Sequence, residues 1–489
     1  MTPAGAAVRW LVALEHPILS CELVSEGGGP VEAEWTTDLR RAWPYPAGCC
    51  GDLQFSADTA GGRALVALAG DPFRLIVSVD GGTLTAEPAE GPAVRFTIRA
   101  AGRCRVHLIG AADEADLDRS RQVLARRQLA GLRRQRTDHA RELAAYLTSI
   151  ETPEATLGPA FERAKAQMDG CLTGTPGVGR ALAAGGLAAP LRADRPAPAW
   201  YAGPAGCRVG MAQLAVGDRG AARDTLKFLS LTQDPAGRIV ERCSTSGLAL
   251  FDDSWSIPWY LLLASRYAAW TGELDFLAQR WAAIRRALDT GITARLWEGG
   301  AEVGARWAAA LEAILPLAEA LGHLEVAEEV AAHAAAAREG AGAATFDAEP
   351  GLVDFRAGRF AAGLDALRHS AAGDAQPSVV TTLAMEGLWG VAPDALEGAV
   401  RIAPWFPPDW DAMALERLRV GRTVLDVSLR RRFGQVAARI ERAHGPRIHV
   451  EFELRGAPPG GTLHLDDVEL PAGRVAFEGE GKHALIWHG

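Results

Sequence analysis

Fourteen tryptophans against five tyrosines mark this chain of 489 residues, and several of the tryptophans have charged neighbours. Trp200 and Tyr201 precede Arg208, and Glu241 adjoins Arg242. Asp252, Asp253 and Trp255 lie within four positions, Trp297 adjoins Glu298, and Glu302 stands five residues before Trp307. Such a mixture suits a carbohydrate site. The C–H face of a pyranose stacks on an indole, while carboxylates and guanidinium groups take the hydroxyls. Carboxylates are also what glycosidic bond cleavage requires, one as an acid and one as a base or nucleophile. The same residues suit a large helical core with buried tryptophans and peripheral charges, so spacing alone leaves both readings open.

Other chemistries fit less well. Gly174-Thr-Pro-Gly-Val-Gly-Arg180 is glycine-rich but lacks the closing Gly-Lys-Ser/Thr of a phosphate loop, and it reads as a turn. The seven cysteines, an odd number, form no C-x-x-C pair, and no two histidines stand at H-x-x-x-H spacing. No metal site and no cofactor are expected, and buried reduced thiols in a cytoplasmic protein fit the cysteines best. A net charge of −9 argues against a nucleic-acid partner. The arginine-rich stretch from Arg119 to Arg136 lacks the interleaved aromatic residues that base stacking needs. The most apolar run, Ile257–Trp270, is interrupted by Pro258 and Arg266, so no membrane span is expected, and the first residues do not read as a signal peptide.

The elements that must position these residues follow from periodicity. Residues 1–112 alternate with period two: Val94, Phe96 and Ile98 face one way, and Arg95, Thr97 and Arg99 the other. An N-terminal antiparallel β-sandwich is predicted. Residues 113–150 read as a long, charged, solvated linker helix opened by acidic residues. Residues 151–395 carry apolar stripes at helical spacing, such as Leu277, Trp281, Ile284 and Leu288, with Gly or Asp at the junctions. Short junctions imply helical hairpins, Arg208–Val216 with Ala221–Leu229 and Ser254–Trp270 with Glu273–Leu288. About nine or ten helices are legible on this basis. Residues 396–489 return to period two, with Ile448, Val450, Phe452 and Leu454 on one face, and predict a C-terminal β-domain.

Collinear motifs then add a resemblance. Glu151-Thr-Pro-Glu-Ala-Thr-Leu-Gly-Pro-Ala-Phe-Glu-Arg-Ala-Lys165 is similar to the opening helix of the six-hairpin glycosidases, and more closely to that of the bacterial amylo-α-1,6-glucosidase, or glycogen debranching enzyme-like, group. Leu226–Gly247 resembles that group's L-x-F-L-x-x-x-Q-x-x-x-G-x-I-x-H-E element. Phe251-Asp-Asp-Ser through Tyr267-Ala-Ala-Trp-Thr-Gly-Glu-Leu-Asp-Phe-Leu277 resembles its D-D-T and Y-x-x-W-T-G-D-x-x-F-L elements. Glu302–Leu311 resembles V-E-I-N-A-L-W-Y-x-A-L, and Gly390–Ala395 and Leu418–Gly421 resemble the barrel's exit and the following β-domain. The resemblance spans roughly residues 115–435.

It implies a multidomain α+β protein, in which a shortened (α/α)6 toroid of helical hairpins lies between N-terminal and C-terminal antiparallel β-sandwich domains. It also implies inverting chemistry on an α-linked glucan or oligosaccharide. The acid is then Glu302 or Glu298 and the base Asp374, with Trp200, Tyr201, Arg208, Glu241, Arg242, Asp252, Asp253, Trp255, Trp297 and Trp307 as sugar-binding candidates. The chain departs from the family at telling places. Gly203-Pro204-Ala205 stands for the family's G-R-D, Glu241-Arg242 stands for H-E, and only Thr290–Gly300 fills the stretch that normally carries the acid. A catalytically inactive homologue that binds a glycan, or serves as a protein-interaction scaffold, is therefore the alternative. The sugar, the linkage and the oligomeric state stay open.

Overall fold

The computed structural model describes all residues except 1–5, 13–17, 26, 38–51, 71–73, 92, 112–113, 176, 185–199, 245–246, 252–254, 347–349, 374, 457–461, 467, 471–472 and 489. The chain forms two compact units, Met1–Glu142 and Leu143–Gly489.

In the first unit the period-two segments pair as predicted. A six-stranded antiparallel sheet runs in the order Ala6–Val12, Ile18–Ser25, Arg103–Ala111, Arg74–Asp80, Arg63–Leu68, Leu53–Asp58. A three-stranded sheet runs Val31–Thr37, Ala93–Ala100, Thr83–Ala89. Val94, Phe96 and Ile98 enter a core with Val66, Val77 and Leu84 between the two sheets. The opposite face of the larger sheet is covered too. Helix α1 (Glu114–Tyr146) lays Leu117 and Leu132 against Ile18, Ile76 and Ile109. This part of the helix is therefore not solvated all round. Its charged residues dilute the apolar stripe and hide the buried face from a periodicity count.

The carboxylate of Glu22 is fully buried in this unit, among Arg9, Arg103, Arg105 and Arg133. Its strand neighbours are Arg9 on one side and Arg105 on the other, and Arg133 reaches it from α1 at 3.1 Å. Burial alone would raise the pKa of Glu22, but hydrogen bonds from Arg103 and Arg133 hold it down at about 2. The folded value lies below the unfolded one. The stabilisation is therefore complete above about pH 4.5 and is lost as pH falls towards about 2. Glu22→Ala leaves the arginines around a void and should destabilise this unit by about 3–5 kcal/mol at pH 7, read by denaturant unfolding. The loss should shrink when the measurement is repeated near pH 2.

The second unit begins with Ser149–Glu151, which pairs with Ala414–Glu416 far along the chain. Eleven α-helices follow among the described residues: α2 (Leu157–Asp169), α3 (Gly203–Ala215), α4 (Arg219–Leu231), α5 (Ser256–Thr271), α6 (Leu274–Ala278), α7 (Trp281–Thr293), α8 (Ala301–Ala320), α9 (Leu324–Ala341), α10 (Pro350–Arg356), α11 (Phe360–Ala372) and α12 (Pro377–Thr382). Some, like α6 and α12, are too short to leave a repeating stripe, which explains the smaller number legible in the sequence. α2, α12, α3, α5 and α8 pack in that order as a row, and α4, α7 and α9 back it. This is a shortened toroid of helical hairpins.

α5 runs unbroken through Pro258 and Arg266. Pro258 lies in the first turn, where its missing N–H has no intrahelical partner to lose, and Arg266 pairs with Glu386 at 2.6 Å. The helix stops at Gly272, whose φ of 66° is the left-handed conformation that favours glycine. Among the described residues no helix is long and apolar enough to cross a membrane.

Two larger sheets pack with the helices of this unit. One is seven-stranded, in the order Ser149–Glu151, Ala412–Val420, Thr423–Arg432, Gln435–His444, Lys482–His488, Thr462–Leu465, Val468–Leu470. The other runs Val391–Asp394, Ala399–Ile402, His449–Phe452, Val475–Glu478, with a parallel pairing between Ala399–Ile402 and His449–Phe452. One hydrophobic core runs continuously from the helices into these sheets. The whole chain is a multidomain α+β protein, as its sequence predicts.

Candidate functional site

α3, α5 and α8 lie side by side, and a small three-stranded sheet stands where α3 and α5 begin. Tyr201–Ala202 pairs with Val240–Cys243, which pairs with Ala249–Phe251. The next residue after the first strand, Gly203, starts α3. A Cβ there would lie 2.2 Å from the carbonyl oxygen of Val240, so the strand can turn into the helix at this point only with glycine. Pro204 occupies the first turn of α3 and fixes the same turn from the other side. The sheet gathers Trp200, Tyr201, Glu241 and Arg242, and its last strand leads on to Trp255.

The structure separates these candidates by burial. Tyr201 is closed into the core. Its hydroxyl lies 2.6 Å from Thr175 Oγ1 and donates to the carbonyl of Thr173, and its ring meets Phe228 at 4.7 Å. Trp307 is fully buried, and a Cβ on Gly291 would come within 2.1 Å of its ring. Trp200 and Trp297 are buried as well, the latter beside His333. In this arrangement none of these four, all expected from the sequence to contact a sugar, presents an open ring face. Sequence periodicity counts an indole as apolar wherever it points, and here three indoles and a phenol point inwards. Glu241 and Arg242 pair with each other at 3.1 Å on the central strand of the small sheet. Glu298 is exposed and paired with Arg295 at 2.7 Å. Asp252, Asp253 and Asp374 lie outside the described residues.

Trp255 behaves differently. It is 45% exposed at the start of α5, and the guanidinium of Arg306 from α8 stacks beneath its ring at 3.8 Å. Arg306 is only 7% exposed, and among the described residues its Nε and Nη1 have no hydrogen-bond partner. Burial pulls its pKa below the usual arginine range, opposed by the charge of Glu302 one turn earlier in the first turn of α8. Phe346 lies 5.7 Å from the same guanidinium and meets Trp259 edge-on at 5.3 Å, and Arg208 stands over Trp259 at 5.7 Å. The structure thus brings together Trp255, Glu302 and Arg208 from among the predicted residues. It adds Arg306, Trp259 and Phe346, which sequence reasoning missed. The available signal was an arginine inside the small and apolar run Val303-Gly-Ala-Arg-Trp-Ala, four residues after a carboxylate.

The arrangement offers a half-open aromatic face, a buried cation with orphaned donors and a carboxylate at a helix N-terminus. An unsatisfied buried guanidinium is costly and calls for a ligand or a partner. The described cysteines are unpaired, and burial raises their pKa values, Cys21 and Cys171 to about 11, so no thiolate nucleophile is present among them. No cluster of metal-ligating side chains occurs among the described residues. Gly174–Arg180 closes a hairpin between Leu172–Thr175 and Gly179–Leu182 and does not lead into a helix as a phosphate loop would.

No protein-family model and no curated protein sequence matches the chain. Solved structures share the fold. A protein from the human microbiome described as a kojibiose phosphorylase aligns over 97% of this chain and 82% of its own, with a TM-score of 0.58 and 8% identity. The α-L-rhamnosidase of Dictyoglumus thermophilum aligns over 99% and 64%, with a TM-score of 0.52 and 7% identity. A GH78 rhamnosidase of Bacillus sp. GL1 aligns over 89% and 53%, with a TM-score of 0.50 and 12% identity. The chain spans about half to two thirds of the length of these two rhamnosidases. At such identities the likeness establishes the fold.

Trp255→Ala and Trp307→Ala separate a site residue from a core residue. Trp307→Ala should cost about 3–5 kcal/mol in denaturant unfolding. Trp255→Ala, half-exposed, should cost about 1 kcal/mol or less.

Proposed function

We propose that the chain is a divergent glycoside hydrolase-like protein of carbohydrate metabolism that takes an oligosaccharide or α-glucan at the N-terminal ends of α3, α5 and α8. One observation carries this reading: a half-exposed Trp255 stacked on a buried, incompletely hydrogen-bonded Arg306 beside Glu302. A sugar ring on the open face of Trp255 extends the stack, and hydroxyl groups reaching Arg306 supply the acceptors it lacks. In the active form of this reading Glu302 is the acid and Asp374 the base, in the inverting manner of the debranching group, with an acid–base separation of roughly 6.5–9.5 Å to hold the water. The free thiols among the described residues fit a reducing, cytoplasmic setting.

A second reading, a glycan-binding homologue without turnover, is favoured by two specific features. Pro204 and Ala205 stand where the resembled family carries its sugar-binding Arg and Asp, and Glu298 is held in an exposed ion pair with Arg295.

Incubation of concentrated protein with maltooligosaccharides, limit dextrin, trehalose and other α-glucosides, with products followed by chromatography, tests both. Turnover should fall about 10²- to 10⁴-fold in Glu302→Gln with the fold intact. Trp255→Ala should weaken sugar binding about tenfold or more, as loss of a stacking ring does. Binding without product selects the second reading. Absence of both binding and product overturns the whole proposal.

A further inference from the structure

The opposite end of the same helices carries a second feature, about 20 Å away along α5. There the ends of α3 and α5 meet the seven-stranded sheet around a cleft of about 220 Å³. Its wall includes Arg219, Arg419, Arg422 and His444, and none of its ten lining residues carries a carboxylate. In a chain of net charge −9 a concave surface of this sign is against the global balance.

The ordinary role for cations at this place is to cap helix C-termini, whose carbonyl groups are partly negative. That role is already filled by other groups. Ala395 N–H donates to the carbonyl of Ala269 and Gly421 N–H to that of Trp270, both at 2.7 Å. In α3, Gly217 N–H returns to Leu214, and Asp218 N–H to Gln213. Arg419 itself donates from Nε to the Tyr146 carbonyl at the end of α1, with its guanidinium 3.8 Å from the Tyr146 ring. Arg219 pairs with Glu273 at 3.2 Å, outside the lining. Arg422 is exposed and, among the described residues, has no carboxylate partner. The rim is also shaped by glycine: Gly217 has φ of 92°, and a Cβ there would strike Arg419 at 2.9 Å.

We propose that this cleft binds a tetrahedral oxyanion of the phosphate class, either inorganic phosphate or the phosphate group of a small sugar ester. Arg422 and His444 reach it from the sheet and Arg219 from the start of α4, and Arg419, fixed on Tyr146, forms the floor. The volume accommodates a phosphate with part of an attached ring, and charge-assisted hydrogen bonds from guanidinium groups supply the recognition. This site is independent of the sugar site at Trp255.

Thermal unfolding and titration calorimetry of the full chain test the proposal at constant ionic strength, with sodium phosphate, glucose 6-phosphate, glucose and sodium chloride as probes. Saturating phosphate or glucose 6-phosphate should raise Tm by about 2–5 °C over chloride, and glucose alone should not. Tighter binding of the ester names a sugar phosphate as the ligand, and equal binding names inorganic phosphate. Arg422→Ala should weaken the anion roughly ten- to hundredfold, and Arg422→Lys should recover part of the loss. Arg306→Leu should leave anion binding unchanged. No shift beyond chloride overturns the proposal. So does a response that survives Arg422→Ala but disappears in Arg306→Leu, because the anion would then sit at the other end of the helices.

Discussion

Helix α5 is apolar around its circumference, and almost every residue from Ser256 to Thr271 is buried. A helix of this kind has no wet face and must be covered on every side. α3 and α8 cover its flanks, α4 and α7 its back, and the sheets behind Val391 and Gly421 receive its C-terminal carbonyls. The hairpin row and the C-terminal β-layers therefore share one core and fold as one unit. The same requirement fixes the candidate sites. Among the described residues α5 is enclosed by protein along its length, and the two proposed sites lie at its ends, Trp255 at one and the Arg219–Arg422 cleft at the other.

At the Trp255 end, backbone shaping and polar chemistry come from different residues. The strand-to-helix turn at Gly203 is shaped by the approach of the Val240 carbonyl. The positions just after it hold Pro204 and Ala205, which set the helix start and offer no side-chain hydrogen bonds. The polar capacity at this end comes instead from Arg208, Glu302 and Arg306, each within the first turns of its helix. A guanidinium held under an indole gives up hydration but keeps its charge, so it stays a strong donor for whatever acceptor reaches it.

The first unit follows a different logic. Its larger sheet is buried on both faces, by the smaller sheet on one and by α1 on the other. A carboxylate inside such a sheet is tolerated only because cations reach it from two neighbouring strands and from the helix. That ion cluster ties the register of the sheet to the docking of α1, two features that are far apart in the chain.

The sequence by itself determined the order of the architecture. Period-two alternation marked the strands around Phe96 and Phe452, helical stripes marked α4, α7 and α8, and aligned motifs pointed to helical hairpins. Those signals are local, because a strand or helix writes its buried face into a few consecutive residues. The sequence also put Trp255, Glu302 and Arg208 among its candidates, and the structure draws these three to one end of the hairpin row. Only the tertiary structure decided which tryptophans face solvent, since an indole on a helix reads alike whether its neighbour is water or another helix. It alone revealed Arg306 beneath Trp255, the arginines around Glu22, and the cleft built from Tyr146, Arg219, Arg422 and His444. Each of these depends on residues brought together from distant parts of the chain, and no local period encodes where two remote segments will meet.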